Sequence, residues 1–137
     1  MDFNKINDQI TVSSQITPEE VTILKEKGFK TVICNRPDME VEGDLGSEAM
    51  EKAAKEAGLG FVYLPVTPGQ FPEELIAETA RVLSEEDGPF YAYCRSGTRS
   101  TTVWALAQAG RMDADEIISQ AAGAGYDMQG LKPYLAG

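Results

Sequence analysis

"YAYCRSGTRSTT", residues 91–102, runs from an aromatic apolar stretch through a polar loop into a segment of helical character. Its apolar part, "FYAY" (90–93), reads as a buried strand, and 98–109 reads as a helix closed by Gly110. Between them stand Cys94, Arg95, Ser96, Gly97 and Thr98, with Arg99 at the helix start. A strand passing into a helix through so short a loop belongs to a β–α unit of a parallel sheet. The loop then lies beyond the strand's carboxyl end, where such sheets bind ligands.

Outward from this stretch the alternation recurs. "ITVSSQ" (10–15) is expected to form the first strand. Thr17 then offers an N-cap, Pro18 a first helical position and Glu20 a third, so a helix should start there. It should carry Val21, Leu24 and Ile23 inward and stop at Gly28. "TVIC" (31–34) reads as a buried strand and "NRPDMEVEGDLG" (35–46) as a polar loop. Residues 47–57 set Met50, Ala53, Ala54 and Ala57 on one helical face. "FVYLPV" (61–66) is the next expected strand, broken by "TPGQFP". Pro72 opens a helix whose Leu75, Ile76, Thr79, Ala80 and Leu83 share a face. Asp113 with Glu116 has the form of a capping box before a last helix around Ile117, Ile118 and Ala121. The pattern predicts one α/β domain over 1–137, with a mostly parallel central sheet of four to five strands flanked by helices. Cys34, Cys94, Arg36 and the 67–71 loop should all meet at the carboxyl edge of that sheet.

Composition narrows the chemistry. The 137 residues are 42% hydrophobic and 25% charged, an ordinary globular balance. The net charge is −10, and no block of Lys or Arg occurs, which argues against nucleic-acid and membrane partners. No apolar run approaches the roughly 20 residues of a membrane span. The first ten residues lack the pattern of a signal peptide, so a reducing cytoplasm is the expected compartment. Histidine is absent, which removes Cys-His and Ser-His-Asp catalysis and the common histidine metal sites. No metal or organic cofactor is expected.

Within the quoted loop, Cys94 sits where a cysteine becomes reactive. Nearby cations and a helix N-terminus favour the thiolate, which is the nucleophilic form. Backbone N–H groups of residues 95–99 can turn inward as an anion nest, with Gly97 free to take a positive φ. Arg99 can either bind an oxyanion with its fork or hold the loop's shape, and Ser100 can donate its hydroxyl to the sulfur. The plainer alternative is that Cys94 ends a buried strand as a small core residue. Arg36 is a candidate either for an anionic substrate or for pairing with Asp38. Cys34 reads as a core residue or as a resolving thiol for Cys94. Tyr63, Tyr91, Tyr93 and Trp104 read as core.

"CRSGTRS" resembles the active loop of the rhodanese sulfurtransferases and, more loosely, that of the cysteine-dependent phosphatases. "VSSQITPEE", "VICNRPDMEVEGDL", "AAKEAGLGFVYLPV" and "GPFYAYCRSGTRSTTVWALAQAG" together resemble the phosphatase-like domain fused to a β-lactamase-like hydrolase, the DUF442 family, over residues 10–135. The resemblance implies a fold like that of the dual-specificity phosphatases. It also implies a metallo-β-lactamase-like hydrolase as a partner in trans. Phosphatases of this fold carry C-x5-R, whereas Cys94 to Arg99 is C-x4-R, with Ser100 in the phosphatase arginine's place. They also hold an Asp acid in the loop after the preceding strand. Here "PVTPGQFPEE" has no carboxylate before Glu73, and Glu73 and Glu74 read as solvated residues of a first helical turn.

Both departures lead to the expectation of a cysteine-dependent sulfurtransferase carrying a persulfide on Cys94. Arg99 and the amides of Arg95, Ser96, Gly97 and Thr98 would stabilise it, with Ser100 and Arg36 as further contacts to a small sulfur-containing or oxyanion substrate. A phosphatase working through a phosphocysteine is the alternative enzyme. A domain that holds an oxyanion or sulfur species without turnover is the alternative of another class.

Overall fold

The computed structural model describes residues 1–135. Five strands form one sheet: β1 (Asn4–Lys5), β2 (Ile10–Ser13), β3 (Thr31–Cys34), β4 (Gly60–Tyr63) and β5 (Phe90–Tyr93). Their order is β1-β2-β5-β3-β4, with β1 antiparallel to β2 and the other pairings parallel. The strand that precedes the cysteine loop is therefore the middle one. All four residues of β2, β3 and β5 are buried, as expected of strands covered on both faces.

Alternate residues of these strands feed two cores on opposite faces. Ile10, Val12, Ile33, Phe90 and Ala92 face α3 (Glu73–Glu85), α4 (Thr98–Ala107) and α5 (Ala114–Gly123), packing on Val82, Leu83, Trp104, Ile117 and Ala121. Val32, Cys34, Tyr91 and Tyr93 face α1 (Val21–Glu26) and α2 (Ser47–Glu56), packing on Val21, Leu24, Met50 and Ala54. A last short helix, α6 (Lys132–Leu135), puts Leu135 into the first core. Among the described residues no helix is long and apolar enough to cross a membrane.

Several expected boundaries move, each for a local reason. The strand expected over 10–15 ends at Ser13, whose carbonyl accepts the last link from Cys94 N–H before β5 turns away. That expected over 61–66 ends at Tyr63, although Leu64 and Val66 N–H still bond to Cys34 and Asn35 carbonyls. Pro65 between them has no N–H to give. The Thr17–Glu20 capping box forms, with Thr17 Oγ1 accepting from Glu20 N–H and Glu20 Oε1 from Thr17 N–H. It opens a 3-10 turn rather than α1 itself, and the altered register leaves Ile23 37% exposed instead of inward. Asp113 occupies the N-cap of α5 without a side-chain bond, so the second capping box is not made. Tyr63 is exposed rather than core because β4 is an edge strand, and its hydroxyl accepts from Asp38 N–H at 2.9 Å.

Candidate active site

Cys94 is the first residue beyond β5 and is fully buried. Gly97, at the N-cap of α4, has φ +91°, a conformation that suits glycine and turns its N–H inward. That N–H donates to Cys94 Sγ at 3.1 Å. The backbone N–H groups of Arg95, Ser96, Thr98 and Arg99 make no hydrogen bond to other described residues. One amide of the expected nest thus grips the sulfur, while four more stand free around the start of a ten-residue helix. Arg95, Ser96 and Thr98 are exposed, and Ser96 Oγ donates to Thr98 Oγ1 at 3.1 Å. The hydroxyl of Ser100 does not reach the sulfur: it is buried without a partner among the described residues, and the Gly97 N–H takes the place expected for it.

Arg99 is clamped. Its Nη1 donates to Glu40 Oε2 at 2.9 Å and to Val66 O at 2.7 Å, and its Nη2 donates to Glu40 Oε1 at 2.8 Å. A guanidinium has five N–H donors. Among the described residues Nε–H and the second Nη2–H therefore remain without a partner, and guanidinium geometry puts these two on one edge. Arg99 is thus tied to Glu40 and Val66 through three donors, and the edge carrying the other two is unused among the described residues.

Of the two readings of Arg36, an anionic substrate or a pair with Asp38, the structure corrects the second: its partner is Glu40. Arg36 Nε donates to Glu40 Oε1 at 3.3 Å, Nη2 to Glu40 O at 3.3 Å and Nη1 to Gln15 Oε1 at 3.3 Å. Asp38 is occupied elsewhere, accepting from Ser47 N–H and Oγ at 2.7 Å each. The hydrogen bonds and charge of Arg99, followed by those of Arg36, hold the Glu40 carboxyl below the usual carboxylate range despite its partial burial. Sequence reasoning missed Glu40. The only signal was its i,i+4 spacing from Arg36.

Cys34 pairs in register with Tyr93, so Cys94 lies one residue further along the neighbouring strand. Its thiol donates to Arg36 O at 3.4 Å, and burial pushes its pKa up. The Tyr93 hydroxyl is buried beside it without a well-aligned partner. Glu73 and Glu74 are exposed in the first turn of α3, as expected of solvated residues.

Residues 2–111 match the family described as the β-lactamase hydrolase-like protein, phosphatase-like domain. The chain is 31% identical over 126 residues to the β-lactamase hydrolase-like protein of Agrobacterium fabrum, and 30% identical over 125 residues to that of Xylella fastidiosa. Each alignment takes in 90% of this chain but only 29% of the relative's length. Among solved structures, a proposed phosphatase from Neisseria meningitidis aligns with TM-score 0.82 and 30% identity, covering 96% of this chain and 94% of that one. The structure of Tk-PTP in the active form aligns with TM-score 0.74 over 97% of this chain and 92% of that one. At 18% identity it supports the fold alone.

Proposed function

The chain belongs to the phosphatase-like domain family of the β-lactamase hydrolase-like proteins, and from that premise we propose that it is a cysteine-dependent phosphatase. The observation that carries this reading is the union of Cys94, a helix N-terminus with free amides, and the unused edge of Arg99. The Cys94 thiolate attacks phosphorus, and the bond from phosphorus to the leaving oxygen breaks. The amides and the Arg99 fork take the charge on the equatorial oxygens. Water then attacks the phosphocysteine, releases phosphate and returns the thiolate.

The loop after β4 offers the leaving oxygen no carboxylic acid. Residues 64–72 contain no carboxylate, and Glu40 is held ionised by two arginines. Substrates whose leaving groups need little protonation, such as aryl phosphates, are therefore favoured. The overall charge of −10 works against long polyanions.

The sulfurtransferase expectation draws no support from the family or the structural neighbours. One observation still favours it as a second reading: the loop is one residue shorter than C-x5-R, which suits a terminal sulfur. Purified protein separates the two. Phosphate release from an aryl phosphate, lost in Cys94→Ser and largely kept in Cys34→Ser, supports the phosphatase. Sulfur transfer from thiosulfate to cyanide without phosphate release would overturn it.

A further inference from the structure

The peptide between Ser96 and Gly97 is held at both ends. Its N–H donates to Cys94 Sγ at 3.1 Å, and its carbonyl accepts from the Tyr126 hydroxyl at 2.9 Å. A peptide unit is planar, with N–H and C=O pointing in opposite directions. Fixing the carbonyl outward therefore fixes the N–H inward, onto the sulfur.

Tyr126 is itself well placed to do this. It follows α5, and its N–H bonds to Ala121 O at 3.0 Å. Asn4 Nδ2, on β1, donates to the Tyr126 oxygen at 3.0 Å, which leaves the phenolic hydrogen for Ser96 O. Burial, the first cause, raises the Tyr126 pKa, so the phenol stays a donor through neutral pH. The fit on Gly97 is close: a Cβ there would lie 2.1 Å from the Tyr126 hydroxyl. Two elements far apart in sequence, β1 and the segment after α5, thus converge on one peptide of the cysteine loop.

We infer that Tyr126, supported by Asn4, is a positioning residue: it orients the 96–97 peptide so that the Gly97 N–H stabilises the Cys94 thiolate. The inference rests only on Cys94 being a reactive thiol, and not on which substrate it attacks. The other titratable or charged groups near Cys94 are Cys34 on β3 and Arg99 on α4, and Arg95, next to it in the chain, is exposed. None of these is touched by removing the Tyr126 hydroxyl.

Alkylation of Cys94 by iodoacetamide, followed by peptide mass across a pH series, tests this without any substrate. In Tyr126→Phe the ring remains and the donor is lost, so the 96–97 peptide is free to turn. Weakened donation to a thiolate favours the thiol. The alkylation curve should move to higher pH by about half a unit to one unit, with a roughly 3- to 10-fold slower reaction at neutral pH. Asn4→Ala should shift the curve the same way by less. An unshifted profile in Tyr126→Phe overturns the inference. So does a uniform loss of rate at every pH, which reports access rather than orientation. Should Tyr126→Phe fail to fold, an unshifted profile in folded Asn4→Ala overturns it alone. None of these outcomes bears on phosphate release by the unaltered protein, so failure here is distinct from failure of the phosphatase reading.

Discussion

Glu40 stands between two arginines: its oxygens take the Nη groups of Arg99 at 2.8 and 2.9 Å, and Oε1 also takes Arg36 Nε at 3.3 Å. The side chains of Arg99 and Glu40 are 12% and 22% exposed, so the pair is only partly screened by water. Glu40→Gln keeps the shape and removes the charge that holds the Arg99 fork in place. Destabilisation of about 1–3 kcal/mol is expected, below that for breaking a fully buried pair. Aryl-phosphate turnover should fall about tenfold or more, because misplacing one catalytic group is costly. Steady-state kinetics beside thermal unfolding check both, and a variant unchanged in rate would remove Arg99 positioning from the account.

The same pair gives a pH dependence with a definite sign. Glu40 has its folded-state pKa depressed, first by the hydrogen bond from Arg99, below the ordinary 4.5. A depressed carboxyl stabilises the fold above its unfolded value, and that contribution is lost as pH falls through the folded value. The gap in Tm between the protein and Glu40→Gln should therefore be full above about pH 5 and close progressively below about pH 4.5. Calorimetry across pH 3–7 reads it, and a gap that widens on acidification contradicts the assignment.

Much of this was legible in the sequence, and what was missed was missed for identifiable reasons. "TVIC" and "FYAY" are strands at the expected bounds because continuous apolar runs leave no other way to be buried. The Gly97 N–H reaches the Cys94 sulfur at the positive φ that the sequence suggested for that glycine. β1 escaped notice because two residues on a sheet edge, Asn4 and Lys5, carry no apolar pattern. Glu40 and Tyr126 lay hidden in segments with no periodicity, and each acts on a residue tens of positions away. The choice of chemistry leaned on loop length and on the missing acid in the loop after β4. Loop length does not show how Arg99 divides its donors between Glu40 and an open edge.

Gly97→Ala tests the loop's backbone. Alanine at φ +91° is strained, and its Cβ would meet the Tyr126 hydroxyl at 2.1 Å. Relief requires either the loop or Tyr126 to move, and each route carries the Gly97 N–H off the sulfur. A loss of about 2 kcal/mol or more is expected, together with near-complete loss of phosphate release. Combining it with Tyr126→Phe should recover part of the stability but little of the activity. A fully active Gly97→Ala would mean that the positive φ is incidental.

The last prediction concerns the length of the loop. Ser100, Thr101, Val103, Trp104 and Ala105 are buried on α4, so the helix cannot slide or rotate without opening the core. One glycine inserted between Thr98 and Arg99 must therefore be absorbed by the loop itself, restoring the C-x5-R spacing and widening the ring of amides. If cradle width limits phosphoryl transfer, kcat/KM for aryl phosphates should rise while any sulfur transfer to cyanide falls. The rise should be modest, since residues 64–72 still contribute no acid and general-acid help is typically worth about 10²–10⁴-fold. Esters with the best leaving groups should gain most, because they depend least on that proton. An insertion that keeps the fold yet abolishes hydrolysis gives the opposite answer: the shorter loop is then already the right size for phosphate, and its length has no bearing on the choice between phosphorus and sulfur.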